Sequence, residues 1–415
     1  MLLACNKVFT LTPITLQVTR RLFTASSTST VLAFNTVSEN SPRTGPKSTQ
    51  RVSNMSSDST NEVKYWNRET SEKKSYSASN PVTQEARIVC IADPQDDANK
   101  RLYKEDLPDG AKIIAIGSQM SDFDVPKLKD EKANVIFTSH PNSREPLSKL
   151  VQELPITWIH SRSAGIDYIT SNDVASSAAV MTNAKGSFSS TLAEYTMMAI
   201  SYFAKDLPRV MKNKNDKNWE KYCIEEIRGK TLGIVGYGDI GRAAARLANA
   251  YGMNIIALKR NRPTQDDPLI NQIYFGNDKE SLYKIMSESD YILCAAPLTP
   301  ETEGMFDAEA FSKAKKNSVF INVGRGPIVN EDALISALED KNGNLKGAAL
   351  DVFATEPLPL SSKLWTLNNV LLSPHNMDMT ETFMHESVDF FLDENLPRFL
   401  REEALLNIVD KKAGY

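Results

Sequence analysis

The sequence predicts an α/β fold of two domains, in which parallel strands alternate with helices. Three observations support this prediction. From Arg87 onward, short apolar runs alternate with longer stretches of helical pattern. Most of these runs end in a glycine or a polar residue, as buried parallel strands do. A glycine-rich turn between a strand and a helix lies in mid-chain, near residue 236, so a separate α/β unit precedes the one that contains it.

The first domain is predicted over residues 86–203. Its five predicted strands are 88–92, 112–116, 134–138, 157–160 and 180–181. A charged helical stretch lies at 126–131. A long apolar helix is predicted over 191–204, where Thr191 and Glu194 have the spacing of a capping box.

The second domain is predicted over residues 204–375 and begins with a strand, a glycine turn and a helix. The strand 232–235 leads into Gly236-x-Gly238-x-x-Gly241 and an alanine-rich helix, 242–250, and a second strand follows at 254–258. Backbone N–H groups in such a turn bind a pyrophosphate at the positive end of the helix dipole. We therefore predict a dinucleotide site, although a glycine turn without a ligand is the alternative. Its predicted residues are Gly236, Gly238, Asp239, Ile240 and Gly241.

The residues after the second strand predict NADP, that is NADPH, as the preferred cofactor. Units that bind NAD place an acidic residue there, but here Lys259, Arg260 and Arg262 follow, and no carboxylate comes before Asp266. Cations pair with a 2′-phosphate, and arginine does so through two hydrogen bonds. A basic surface loop on a protein that uses NAD is the open alternative.

Four further strands are predicted in the second domain, at 290–297, 318–324, 347–351 and 370–373. Ionisable residues follow three of them: Arg325, Glu356 and His375. Ligands of parallel sheets bind beyond the carboxyl ends of the strands. We therefore expect these three side chains to converge.

Four motifs in this order resemble the signature set of the D-isomer-specific 2-hydroxyacid dehydrogenases, and the resemblance covers residues 86–400. The motifs are Gly236-Tyr-Gly-Asp-Ile-Gly241, Asn322-Val-Gly-Arg-Gly326, Asp351-Val-Phe-Ala-Thr-Glu-Pro357 and Ser373-Pro-His375. The resemblance implies two Rossmann-like domains: a flavodoxin-like substrate domain, completed by residues 376–415, is split around an inserted dinucleotide-binding domain. It also implies a homodimer.

The same resemblance implies hydride transfer between NAD(P)H and a small 2-oxo acid. His375 would be the acid/base, Glu356 would accept a hydrogen bond from its other ring nitrogen, and Arg325 would hold the substrate's carboxylate and carbonyl. The loop of Ser163, Ala164 and Gly165 would bind the carboxylate through backbone amides, unless it is an ordinary strand-to-helix turn. Further cofactor contacts would come from Pro297, Thr302, Val323 and Asp351. Asp351 would meet the nicotinamide carboxamide or, alternatively, cap a turn.

Within the family, residues 356–365 and the basic loop look closest to the NADPH-dependent glyoxylate/hydroxypyruvate reductases. Asn376-Met-Asp378 departs from the small residues of many relatives, and we expect Asp378 to face the substrate or to cap a helix. Two alternatives remain. A 3-phosphoglycerate dehydrogenase is disfavoured by Lys259, and a nucleotide-sensing corepressor is disfavoured by the leader-like N-terminus.

Composition limits the partners and the compartment. The 415 residues carry a net charge of −4, which gives no reason to expect nucleic acid, and no apolar run approaches the roughly 18 residues of a membrane span. Four scattered cysteines imply no metal site. Residues 1–38 contain no acidic residue and are rich in Ser and Thr, so residues 1–80 are predicted to be a transit peptide and disordered leader. Arg21-Leu-Phe23 favours a mitochondrial address; plastid and cytoplasmic locations remain open.

Overall fold

The computed structural model describes residues 81–104, 107–262, 267–276, 278–380 and 382–414, together with the backbone of two short strands in the leader. These strands, β1 (Tyr65–Asn67) and β2 (Glu72–Lys74), pair antiparallel, which differs from the unstructured leader predicted up to residue 80. Tyr65 and Trp66 are aromatic residues, which favour strands, and the polar residues around them hid this signal. The predicted transit peptide lies outside the described residues.

The first sheet has five parallel strands in the order β4-β3-β5-β6-β7. The strands are β3 (Ala86–Ile91), β4 (Ala111–Gly117), β5 (Val135–Thr138), β6 (Trp158–Ser161) and β7 (Val180–Asn183). The helices among them are α1 (Lys100–Lys104), α2 (Val125–Asp130), α3 (Arg144–Glu153) and α4 (Asn172–Ser176). Both faces are covered, so the strands other than the edge strand β4 are buried almost throughout.

The second sheet has seven parallel strands in the order β10-β9-β8-β11-β12-β13-β14. The strands are β8 (Thr231–Val235), β9 (Asn254–Lys259), β10 (Gln272–Phe275), β11 (Tyr291–Cys294), β12 (Ser318–Asn322), β13 (Leu345–Leu350) and β14 (Val370–Leu372). The strand order reverses between β8 and β11, and ligands of open α/β sheets bind at such a switch point. The α/β class is confirmed, but the edge strand β10 was not predicted, because it is short and only partly buried.

A long helix, α5 (Ser189–Ala204), leads from the first sheet to the second, and α6 (Leu207–Asn215) follows it. Side chains of α5, including Leu192 and Ile200, lie in one core with Ala244 and Ala248 of α7 (Asp239–Ala250). Small alanines allow the two helices to approach closely. The predicted first domain, 86–203, included this helix, yet it packs on the second sheet.

The predicted capping box of α5 is wrong. The helix begins at Ser189, two residues earlier than predicted, so Thr191 and Glu194 both lie inside it. The Thr191 hydroxyl donates to the Phe188 carbonyl oxygen at 2.9 Å instead of capping a free amide.

The remaining helices are α8 (Lys279–Glu288), α9 (Ala308–Ser312), α10 (Glu331–Glu339), α11 (Phe383–Phe390) and α12 (Leu396–Leu400), and a π-helical turn, Phe391–Asn395, joins the last two. Phe391, Leu396 and Phe399 pack against Phe137 and Trp158, so the end of the chain covers the first sheet. Among the described residues, no helix has the length and apolar character needed to cross a bilayer. The same part of the chain holds no cluster of metal-ligating side chains.

Candidate active site

A cavity of about 420 Å³ lies where the carboxyl ends of the two sheets face each other, and both domains line it. This volume is typical of small-molecule sites. Twelve of the predicted site residues line it: Ala164, Gly165, Gly236, Gly238, Asp239, Ile240, Lys259, Arg260, Pro297, Thr302, Val323 and Arg325. The other six predicted residues do not line it: Ser163, Gly241, Arg262, Asp351, Glu356 and His375.

The glycine turn has the shape that a phosphate group requires. Gly236 has φ +95°, and a Cβ atom there would lie 2.5 Å from the Ala296 nitrogen, so only glycine fits. Gly241 packs closely on the Gly236 carbonyl oxygen, which a Cβ atom would approach to 2.7 Å. Nothing lies within 4 Å of the corresponding position on Gly238, which opens to the cavity. The N-terminus of α7 therefore faces open space, and the dinucleotide pyrophosphate fits there.

The basic loop after β9 contributes two of its three predicted residues to the cavity. Lys259 and Arg260 line it, whereas Arg262 does not, and its guanidinium lies 5.2 Å from the centre of the Phe275 ring. Asp266, the first carboxylate after the strand, lies outside the described residues. The carboxylate of Asp267 accepts from the Tyr237 hydroxyl at 2.9 Å.

Arg325 follows β12 and joins the two domains. Its guanidinium packs against Gly165, where a Cβ atom would lie 1.7 Å from Nη2. Its Nε also lies 3.3 Å from Asp167 Oδ1, a partner that the sequence did not identify. The structure thus brings the predicted cation to the predicted glycine loop. Ser163, the first residue of that loop, has its hydroxyl 3.0 Å from the Tyr168 hydroxyl and does not line the cavity.

Glu356, which follows β13, and His375, which follows β14, form a direct pair. His375 Nδ1 lies 2.8 Å from Glu356 Oε2, while Glu356 Oε1 accepts from the Phe353 amide at 2.9 Å. The carboxylate is therefore fixed on both oxygens, and it orients the ring. The second ring nitrogen, Nε2, is left to act on a ligand. Strands β12, β13 and β14 are neighbours, so Arg325, Glu356 and His375 leave the sheet at the same edge.

Asp351 caps the turn that carries His375, the alternative named from the sequence. It is only 1% exposed and accepts hydrogen bonds from the Ser373 hydroxyl at 2.7 Å and the Asn376 amide at 3.1 Å. Burial raises the pKa of Asp351, and these hydrogen bonds oppose the rise. The Ser373 oxygen also lies 3.4 Å from the hydroxyl of Tyr195 on α5. Neither Ser373 nor Tyr195 was singled out from the sequence, because their contact spans 178 residues.

Asp378 adds a second carboxyl group near the reactive pair. Burial raises its pKa, while the charges of His375 and Arg325 act in the opposite direction. The two expectations for Asp378, facing the substrate or capping a helix, therefore both stay predictions.

Comparisons with known proteins agree with this architecture. Residues 197–376 match the family model described as the NAD-binding domain of D-isomer-specific 2-hydroxyacid dehydrogenases. The chain is 29% identical to the D-3-phosphoglycerate dehydrogenase of Methanocaldococcus jannaschii over 78% of its own length, but spans only 59% of that protein. It is 28% identical to the glyoxylate reductase of Korarchaeum cryptofilum, over 75% of this chain and 89% of that one.

Among solved structures, a D-isomer-specific 2-hydroxyacid dehydrogenase from Xanthobacter autotrophicus, in complex with NADPH and MES, superimposes with a TM-score of 0.68. Its sequence is 25% identical, and the match covers 80% of this chain and all of the other. The likeness therefore includes both α/β domains.

Two glycines of the turn should respond differently to the same substitution. Gly236→Ala should lower the melting temperature, because it combines positive φ with a backbone clash. Gly238→Ala should leave the melting temperature unchanged but weaken NADPH binding, because its methyl group enters the open cavity. Thermal unfolding of the ligand-free protein and NADPH titration measure the two effects. Wild-type NADPH affinity in Gly238→Ala would show that the phosphate lies elsewhere.

Proposed function

Since the chain belongs to the D-isomer-specific 2-hydroxyacid dehydrogenase family, we propose that it reduces small 2-oxo acids with NADPH. Glyoxylate and hydroxypyruvate are the proposed substrates, and glycolate and D-glycerate the products. The observation that carries this proposal is the 2.8 Å pair of His375 and Glu356, beside the strand that presents Arg325 to the cavity.

Each of these side chains has a chemical task in the proposed reaction. NADPH, when bound, supplies the hydride. Arg325, which is planar and permanently charged, holds the carboxylate and the carbonyl oxygen of the substrate. His375 donates a proton from Nε2 to the oxygen that becomes the hydroxyl, while its Nδ1–H donates to Glu356. The carboxylate thereby keeps the ring in one tautomer and in one orientation.

The surroundings of the reactive pair favour substrates with small, uncharged side chains. With Asp378 facing the substrate, which is the alternative we propose, a phosphate or a second carboxylate on the substrate would be repelled by the like charge of Asp378. A hydroxymethyl group, as in hydroxypyruvate, can instead donate a hydrogen bond to Asp378. This argument supports glyoxylate and hydroxypyruvate over 3-phosphoglycerate.

The proposed preference for NADPH depends on Lys259 and Arg260, which line the cavity at the end of β9. In the Rossmann arrangement this position faces the ribose 2′ substituent. Two cations there favour a 2′-phosphate over a hydroxyl. The basic surface loop, the alternative from the sequence, would need these side chains to lie away from the cavity.

A homodimer and a mitochondrial location complete the proposal. The side chains of Met211, Trp219 and Ile224, on α6 and the segment before β8, are 62%, 92% and 56% exposed. Three exposed apolar residues within one stretch of 14 residues, 211–224, fit a contact with a second copy. The mitochondrial address depends on the composition of residues 1–38 alone.

The direct test is a panel of 2-oxo acids assayed with NADPH and NADH. We expect kcat/KM to be highest for glyoxylate or hydroxypyruvate with NADPH, and lowest for phosphohydroxypyruvate and 2-oxoglutarate, whose extra charge Asp378 disfavours. NADPH binding without turnover of any member would instead support a nucleotide-sensing role.

Exchanging the cations should change the cofactor preference. We expect Lys259→Asp with Arg260→Ala to lower the NADPH/NADH ratio of kcat/KM by about tenfold or more, because charge-assisted bonds to the 2′-phosphate are lost. Arg262→Ala is the matched control: its guanidinium lies on Phe275, so its ratio should change little. An unaltered ratio in the double variant would contradict the cofactor assignment.

Removing the imidazole of His375 should slow the chemical step without changing the affinity for NADPH. We expect His375→Ala to lower kcat by about 10²-fold or more, while the Kd for NADPH stays the same, because the proposed role of the ring is proton transfer to the substrate and not a contact with the nucleotide. His385→Ala, at another partly exposed histidine, is the control and should keep wild-type activity. Parallel loss of NADPH affinity and turnover in His375→Ala would indicate a structural role.

A further inference from the structure

A lysine of the first domain reaches the phosphate turn of the second. Lys185 follows β7, and its Nζ lies 3.6 Å from Oδ2 of Asp239, the first residue of α7. Both residues line the cavity. The Asp239 side chain is 24% exposed and that of Lys185 is 56% exposed, so the ammonium stands at the cavity mouth.

The backbone of Lys185 is fixed on both sides, although its side chain is long. Its amide donates to Asn183 Oδ1 at 3.2 Å, and its carbonyl oxygen accepts from Asn407 Nδ2 at 2.8 Å. Asn183 Nδ2 also donates to the carbonyl oxygen of Ala164 at 2.6 Å. The lysine thus projects from a rigid support that it shares with the predicted substrate loop.

The negative charge of Asp239 gives Lys185 a role at this end of α7. A carboxylate at the first residue of α7 occupies the end of the helix where a pyrophosphate fits, and the two anions repel each other. A cation placed between the carboxylate and the pyrophosphate offsets their repulsion. At 3.6 Å the Lys185–Asp239 contact is an ion pair rather than a close hydrogen bond, so the three ammonium donors remain available to a phosphate.

We propose that Lys185 is a cofactor-binding residue that contacts the pyrophosphate from the opposite wall of the cleft. Asp239 holds the ammonium above the glycine turn until the nucleotide binds. This inference rests on the proposed dinucleotide cofactor, but not on the proposed substrate. It also assigns the first domain a part in binding the cofactor.

The test is a binding experiment on the full chain with two nucleotides. We expect Lys185→Gln to weaken NADPH binding about tenfold, the loss of one charge-assisted contact. Binding of adenosine 2′-monophosphate, which has no pyrophosphate, should change less than about twofold. Lys185→Arg should retain most of the NADPH affinity. Lys214→Gln, on the exposed helix α6, is the matched control and should bind both nucleotides as the wild type does.

The Asp239→Asn variant distinguishes a phosphate contact of Lys185 from simple neutralisation of the Asp239 charge. In Asp239→Asn protein, Lys185→Gln should still weaken NADPH binding about tenfold. Disappearance of the effect there, equal NADPH affinity of Lys185→Gln and wild type, or an equal loss for both nucleotides would overturn the inference. If wild-type protein binds no NADPH, the proposed function fails and the inference with it. Thermal unfolding of each ligand-free variant confirms that the variants fold.

Discussion

The packing of Arg325 against Gly165 is the contact on which the site depends. A guanidinium from the second sheet can lie against the backbone of the first domain only because residue 165 has no side chain. The Arg325–Asp167 ion pair fixes the same contact from the side. One close approach between the domains therefore fixes the positions of the cavity walls, of the cation for an acidic substrate and of the glycine loop. A larger residue at 165 would displace the Arg325 guanidinium from the loop.

The histidine turn shows a different constraint. His375 has φ +51°, a left-handed conformation that costs free energy in a residue with a side chain. The buried Asp351 carboxylate stabilises the turn by accepting hydrogen bonds from the Ser373 hydroxyl and the Asn376 amide. The direction of the imidazole thus depends on a carboxylate that the cavity does not expose. Glu356 then fixes the rotation of the ring.

Much of this arrangement could be predicted from local pattern. Apolar runs indicated eleven of the twelve parallel strands, because burial on both faces leaves a continuous signal. Residues directly after those strands, such as Arg325 and His375, could be expected at one edge by topology alone. Contacts between segments that are far apart in the sequence could not be predicted in this way. Asn407 donates a hydrogen bond to the Lys185 carbonyl oxygen across 222 residues, and the spacing of apolar residues does not indicate such a pair. Arg262 illustrates a related limit: the sequence places it in the basic loop, but its contact with the Phe275 ring is seen only in the structure.

The discontinuous first domain has a consequence for how the polypeptide matures during synthesis. The second sheet is encoded by one uninterrupted stretch, 231–372, and can assemble as soon as that stretch leaves the ribosome. The first sheet must wait, since the Thr83 amide bonds to the Leu400 carbonyl oxygen and Trp158 packs against Phe399. The part translated earlier is thus completed later, because one face of its sheet is covered only after residues 388–400 have been synthesised.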